Sequence, residues 1–180
     1  MGRDSGHTTL KSMPPILIAE YDPQWPELFR RERERIQGAI GPRALRIEHA
    51  GSTSVPGLAA KPVIDIVLEV ADSSVEDGYV PDLKVAGYIL RIREPNWFEH
   101  RMFKGPDTDV NVHVFSRGCP EIDRMLAFRD WLRSNAADRE LYLSTKLELA
   151  RQDWPHVQNY ADAKTAVVSE ILERALRQRV

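Results

Sequence analysis

Residues 63–70 read Val-Ile-Asp-Ile-Val-Leu-Glu-Val, and this octet constrains the fold more than any other part of the chain. Successive side chains of a strand point to opposite faces, so Ile64, Ile66, Leu68 and Val70 share one face and Val63, Asp65, Val67 and Glu69 the other. Both faces are largely apolar, as a strand covered on both sides requires. The octet therefore belongs in the middle of a sheet. Asp65 is its exception: a carboxylate between Ile64 and Ile66 is costly to bury unless it is paired, hydrogen-bonded or metal-bound.

The flanking patterns supply the rest of the architecture. Residues 44–49 read as a strand ahead of the octet, residues 88–93 and 97–104 as two more, and residues 16–19 as a short edge strand. Residues 109–115 alternate strictly, with Asp109, Asn111 and His113 on one face and Val110, Val112 and Val114 on the other. An N-terminal helix buries Trp25, Leu28, Phe29, Ile36 and Ile40 and stops at Gly41-Pro42. An irregular helical stretch runs from Asp72-Ser73-Ser74 towards Gly87. From Pro120 the period turns helical. Ile122, Met125, Leu126 and Leu132 mark one helix, and Asn135 caps a second running to about Gln152. After a break at Asp153-Trp154-Pro155, a third carries Val157, Tyr160, Lys164, Val167, Ile171, Leu172 and Leu176. Strands first and helices last predict an α+β domain, a mixed β-sheet packed against helices with a C-terminal helical bundle. One domain spans residues 14–180, and the polar residues 1–13 read as a disordered extension.

Charge narrows the partners. With 25 Lys and Arg against 27 Asp and Glu, the net charge of -2 gives no bulk attraction for polyanions, so duplex nucleic acid is not an expected partner. Cys119 is the single cysteine and sits in a turn before a helix, which rules out an intrachain disulfide. No apolar run is long enough for a signal peptide or membrane span, and the expected location is cytoplasmic, with no membrane partner.

The segment Gly51-Ser52-Thr53-Ser54 is either a tight connection of small residues or an anion-binding nest, in which Gly51 permits close backbone approach and the hydroxyls of Ser52, Thr53 and Ser54 add donors. Lys61 stands just before the octet, where an ammonium meets a phosphate or merely faces water. Asn111 and His113 project from one face of their strand, and a neighbouring position to Asp65 makes Asp65 with His113 a metal-binding or acid–base pair. His49 is read as structural. Lys164, one turn after Tyr160, either snorkels to solvent or delivers charge into a cleft between bundle and sheet. Arg101 and Lys104 are further candidates to neutralise phosphate.

Taken together, Tyr21-Asp22-Pro23-x-Trp25-x-x-x-Phe29, the block HAGSTSVPGLAAKPVIDI, the strand VNVHVF, the stretch LAFRDWLRSN and Tyr160-Ala161-x-Ala163-Lys164 resemble the GrpB family, placed in the nucleotidyltransferase superfamily. The resemblance covers nearly everything from Tyr21 to Ile171. It implies a polymerase-beta-like nucleotidyltransferase fold, with Gly51-Ser52 as phosphate turn and Asp65 as first metal carboxylate. Related domains also occur fused to dephospho-coenzyme A kinase. The superfamily pattern expects a second acid where this chain has Val67, and a third at a position matched by Asn111 or His113, or less closely by Asp109. Glu69 does not replace the second, because four strand residues separate its Cα from that of Asp65 by roughly 13 Å.

Three functions follow as expectations. The first is transfer of a nucleotidyl group from a nucleoside triphosphate, with Ser52, Ser54 and Lys61 on phosphates and a divalent metal, magnesium or a transition metal, at Asp65. In it His113 is base or second ligand, while Arg101 and Lys164 offset charge on pyrophosphate, and Asn111 and Tyr160 complete the ligand pocket. The second is a ligand-binding or regulatory module without transfer chemistry. The third is single-metal hydrolysis of a phosphate ester, using Asp65 and His113.

Overall fold

The computed structural model describes residues 15–178, so the expected extension at residues 1–13 lies outside the described residues. In chain order the elements are α1 (Trp25–Ile40), β1 (Arg46–Ala50), β2 (Ile64–Val70), α2 (Val80–Val85), β3 (Ile89–Glu94), β4 (His100–Lys104), β5 (Val110–Ser116), α3 (Pro120–Ser134), α4 (Ala136–Ala150), α5 (Val157–Ala163) and α6 (Thr165–Arg177).

The octet takes a central place. The five strands lie in the order β1-β2-β5-β4-β3, with β2 and β5 parallel and every other pair antiparallel. A parallel pair needs a crossover, and the segment carrying α2, β3 and β4 supplies it. The register sets Asp65 opposite Asn111 and Val67 opposite His113, and on the next strand Met102 opposite His113.

Each face of the sheet has its own cover. Ile64, Ile66, Leu68, Val110, Val112 and Val114 pack with Trp25, Ile36 and Ile40 of α1 and Leu83 of α2. On the other face Ala50, Val67 and Phe115 pack with Cys119, Ile122 and Leu126 at the start of α3. A third cluster joins Val55 and Leu58, in the loop after β1, to Leu132, Tyr142, Val167 and Ile171 of the bundle. The loop that carries the small residues is thus clamped between sheet and bundle.

Local signals read from the sequence behave as their chemistry dictates in most places. Asn135 Oδ1 accepts from the Asp138 amide at 2.9 Å and starts α4. Asp22 Oδ1 accepts from the Gln24 amide at 2.8 Å ahead of α1. Residues 16–19 form no strand; Ala19 makes a lone bridge to Ala60, too short to extend the sheet. The strand expected from residue 97 begins at His100, because Phe98 (φ 53°) and Glu99 (φ 50°) turn the chain through left-handed backbone first. The single terminal helix expected after residue 156 is two, divided at Lys164. The stretch after Asp72 holds only a short turn at Glu76–Gly78 and the six-residue α2. Among the described residues no helix is long and apolar enough to cross a membrane.

Candidate functional site

The site begins where β1 runs out. Ala50 pairs with Asp65, and the next residue, Gly51, has φ 67°. A Cβ at Gly51 would lie 2.5 Å from Asp65 Oδ2, so only glycine lets the turn pass over the carboxylate. Substituting alanine combines an unfavourable φ with that clash. Gly51→Ala is expected to cost about 2 kcal/mol and to displace the turn, read as a lowered midpoint in urea unfolding. Unchanged stability would mean that the turn and Asp65 separate freely.

The hydroxyls of the turn divide their labour. Ser54 Oγ donates to Gly51 O at 2.5 Å, and Thr53 Oγ1 donates to Val63 O at 3.1 Å. With its proton so used, Thr53 accepts from His49 Nε2 at 3.0 Å. The bundle grips the same turn, because Arg133 of α3 donates to Ser54 O from Nε (3.0 Å) and Nη2 (2.8 Å). Ser54 and Thr53 therefore hold the loop together, contrary to the expectation that all three hydroxyls serve a ligand. Ser52 is the exception: its Oγ accepts from Lys146 Nζ at 3.2 Å, beside the cavity.

Asp65 lies at the floor. Its Oδ1 accepts from Asn111 Nδ2 at 2.9 Å and stands 3.5 Å from His113 Nε2. Burial alone would push this carboxyl up, but a protonated His113 ring beside it, the Asn111 hydrogen bond and the charge of Lys164 outweigh it and hold Asp65 below the usual carboxylate range. Around it lies a cavity of about 190 Å³, walled by Ser52, Asn111, Lys146, Tyr160 and Lys164 with Lys61 at an exposed rim. A larger hollow of about 420 Å³ at Leu45, Val70, Val75 and Tyr79 is nearly all apolar and gathers no comparable set of titratable groups.

Two lysines reach the cavity from the bundle by the same device. Lys146 follows Tyr142 by one helical turn and sits 4.8 Å from that ring's centre; Lys164 follows Tyr160 and sits 4.5 Å from its ring. Lys146 is 2% exposed and donates to Ala59 O at 2.6 Å. Burial, with the nearby charge of Lys164 adding to it, pushes the Lys146 ammonium down to about 7. Burial also lowers Lys164, with Asp65 opposing and Lys61 reinforcing. The Tyr160 hydroxyl is buried and has no hydrogen-bond partner among the described residues, as a group awaiting a ligand would.

The remaining candidates sort by strand face. Lys164 takes the cleft position, and Asn111 and His113 both reach Asp65. Arg101 does not come to the site. It lies beside Val114, on the face away from Asp65, is 6% exposed, and donates to Glu76 Oε1 at 2.7 Å. Lys104 shares the face of Asn111 but pairs with Asp109 at 2.7 Å. Glu69 is engaged by the Gly118 amide at 3.1 Å, and His49 is buried and stacked on Phe29 at 4.8 Å.

Lys146 and Tyr142 were not singled out by sequence. The repeated Tyr-x-x-x-Lys of residues 142–146 and 160–164 was the available signal. Val67, at the second-acid position, is fully buried among Ala50, Phe115 and Ile122. Asp65 and His113 thus contribute one carboxylate and one imidazole, and among the described residues no cluster of three or more His, Cys, Asp or Glu is placed to hold a metal. That donor set does not make a two-metal centre.

Comparison with known proteins gives this geometry its relatives. The crystal structure of conserved protein GrpB from Enterococcus faecalis superposes with a TM-score of 0.78 at 32% identity, covering 91% of this chain and 99% of that one. The Cid1 poly(U) polymerase, in a structure described as Mg 3'-dATP bound, matches with a TM-score of 0.52 at 12% identity over 73% of this chain and 42% of its own, a likeness of fold. The sheet, its helices and the C-terminal bundle make up a polymerase-beta-like nucleotidyltransferase fold. In sequence, the UPF0157 protein BH1888 of Halalkalibacterium halodurans is 62% identical over 160 residues, 89% of this chain and 82% of that protein. The family model described as GrpB protein matches residues 15–174, and the chain belongs to the GrpB family.

Proposed function

We propose that this protein binds a phosphate-bearing small molecule, a nucleoside triphosphate or related phosphoanhydride, with its phosphate end in the cavity beneath Gly51. One observation carries the reading: Lys146 and Lys164 converge on the same space as the Tyr160 hydroxyl, which has no partner among the described residues. A polyanion there would pair both ammonium groups and accept from Tyr160. The cavity, at about 190 Å³, is smaller than the roughly 300–1,000 Å³ of pockets that enclose a whole ligand, so the phosphates enter and the remainder lies outside. The nucleotide named for the Cid1 structure supports nucleotides as the first ligands to try.

Transfer is the fuller form of this function. An acceptor hydroxyl would attack the α-phosphorus, forming an O–P bond while the bond to the bridging oxygen breaks and pyrophosphate leaves. The hydroxyl proton passes to His113, and Lys146 and Lys164 offset the charge on the leaving group. Val67 favours the second reading, a module that binds phosphate and transfers nothing. Calorimetric titration with inorganic phosphate, pyrophosphate and each nucleoside triphosphate, with and without magnesium, tests both. Saturable binding that weakens with salt is expected, pyrophosphate above phosphate. Binding with no pyrophosphate release assigns the module reading, and no binding to any of them overturns the proposal.

A further inference from the structure

Beyond Asp65 the polar line does not stop at His113. Glu94 Oε2 lies 2.7 Å from His100 Nδ1, His100 Nε2 lies 3.0 Å from His113 Nδ1, and His113 Nε2 lies 3.5 Å from Asp65 Oδ1. Two carboxylates and two imidazoles therefore form one chain across β3, β4, β5 and β2. The register builds it, since Glu94 is the cross-strand partner of His100. His100 is held by rings: Phe115 stacks on it at 4.9 Å and Trp97 meets it edge-on at 5.0 Å, leaving it 3% exposed. The Phe98-Glu99 turn, with two successive left-handed residues, lies between Trp97 and His100.

Hydrogen counting gives this chain a direction. A neutral imidazole has one N–H and one lone pair, whereas an ionised carboxylate only accepts. The three contacts would use three N–H groups, and two neutral rings have two. The shortest contact, to Glu94, claims the first, so His100 Nδ1 carries hydrogen and His100 Nε2 is an acceptor. His113 Nδ1 must then donate to it, and His113 Nε2 is left bare. The longest contact is the one that lacks a hydrogen: 3.5 Å from Asp65 is beyond a normal hydrogen bond. The reverse order would set a lone pair of His100 against a carboxylate oxygen at 2.7 Å, which is repulsive.

We infer that Glu94 and His100 are positioning residues that fix the tautomer of His113, leaving its Nε2 lone pair beside Asp65, which lines the cavity, as the proton acceptor. What donates that proton rests on the reading under Proposed function. When the acceptor O–H gives up its proton, the new His113 Nε2–H faces Asp65 Oδ1, and the imidazolium forms against a carboxylate already in place. Glu94, His113 and Arg101 are the charged or titratable groups acting on His100. Burial lowers its basicity and Glu94 opposes that, consistent with a neutral ring.

The test is nitrogen NMR of the full chain with ring-labelled histidine, His113 being assigned by the signal lost in His113→Gln. At neutral pH the expected His113 has a protonated Nδ1 and an unprotonated Nε2. In His100→Phe, which keeps the ring stack, the Nε2 resonance is expected to shift into the protonated range as Asp65 recruits that hydrogen. Glu94→Ala, at a half-exposed side chain, gives the same readout through a mixed tautomer should His100→Phe not fold. A protonated Nε2 in the wild type, or no shift in the variants, overturns the inference. Pyrophosphate titration of the same samples separates the two claims. The expected tautomer without binding sinks the phosphate reading alone, and binding with a protonated Nε2 sinks the relay alone.

Discussion

Replacing Lys146 with methionine is expected to weaken binding of pyrophosphate or a nucleoside triphosphate by about 100-fold, the scale of one charge-assisted hydrogen bond to phosphate in a desolvated setting. The variant keeps the length and apolar bulk of the stem over Tyr142 and removes the ammonium that reaches Ser52 and Ala59. Folding is checked by circular dichroism, because those two oxygens lose a donor. A second signature accompanies the loss. Lys146 is held down to about 7 in the free protein, and phosphate must bind its protonated form. Wild-type affinity should therefore be level below about pH 7 and fall up to about tenfold per unit above it, while the variant lacks this component. The linkage to stability has the opposite sense. Between about 7 and the ordinary value of 10.5 the unfolded chain holds the proton that the native state has released, so the Lys146 contribution to stability rises with pH as binding weakens. Calorimetry across this range, with unfolding curves on the same samples, checks both slopes. Equal affinity in the two proteins would place the phosphate elsewhere.

Why Lys146 escaped notice in the sequence, while Asp65 stood out, is a matter of background. Asp65 sits in an apolar strand, where any carboxylate is conspicuous. Lys146 sits in LYLSTKLELA among polar residues such as Ser144 and Glu148 that do face solvent, and only the packing of Tyr142, one turn earlier, against the Val55 and Leu58 loop buries Lys146 with it. Strand periodicity was equally informative at β5, where the alternation placed Asn111 and His113 together on the Asp65 side. It failed at β4. Arg101 and His100 are neighbours and so face opposite ways, and nothing local says which of them looks towards Asp65. The choice is made by cross-strand register with β5, a long-range contact. The split at Lys164 was hidden for a related reason: no glycine or proline marks it, and the apolar stripe runs on from Tyr160 to Ile171 across the break. Elements with a strong period were legible. Which of their polar residues share a cavity depended on packing between sheet and bundle.

That same packing makes the turn vulnerable to acid. Lowering the pH from about 6.5 to about 4 is expected to remove about 3 kcal/mol of stability through His49 alone, at ~1.4 kcal/mol per pH unit. His49 is 6% exposed, and its ring lies flat on Phe29 with an interplanar angle of 12°. Burial is the main cause that pushes it down to about 4 from 6.5; Asp65 opposes, and Arg133 and Arg129 add to the depression. Between those two values the unfolded chain binds the proton and the native state refuses it, so stability is complete above about 6.5 and declines as the pH falls towards 4. The loss is local in origin. His49 supports Thr53, Thr53 ties the loop to Val63, and Gly51 lies between them over Asp65. His49→Phe retains the stack on Phe29 and has nothing to protonate, so urea unfolding at about pH 7 and about pH 4.5 should show a smaller acid loss in the variant than in the wild type. Identical losses would assign the acid response to carboxylates held low by their partners, such as Asp138 beside Arg174 or Glu76 beside Arg93 and Arg101, and would relieve His49 of its part.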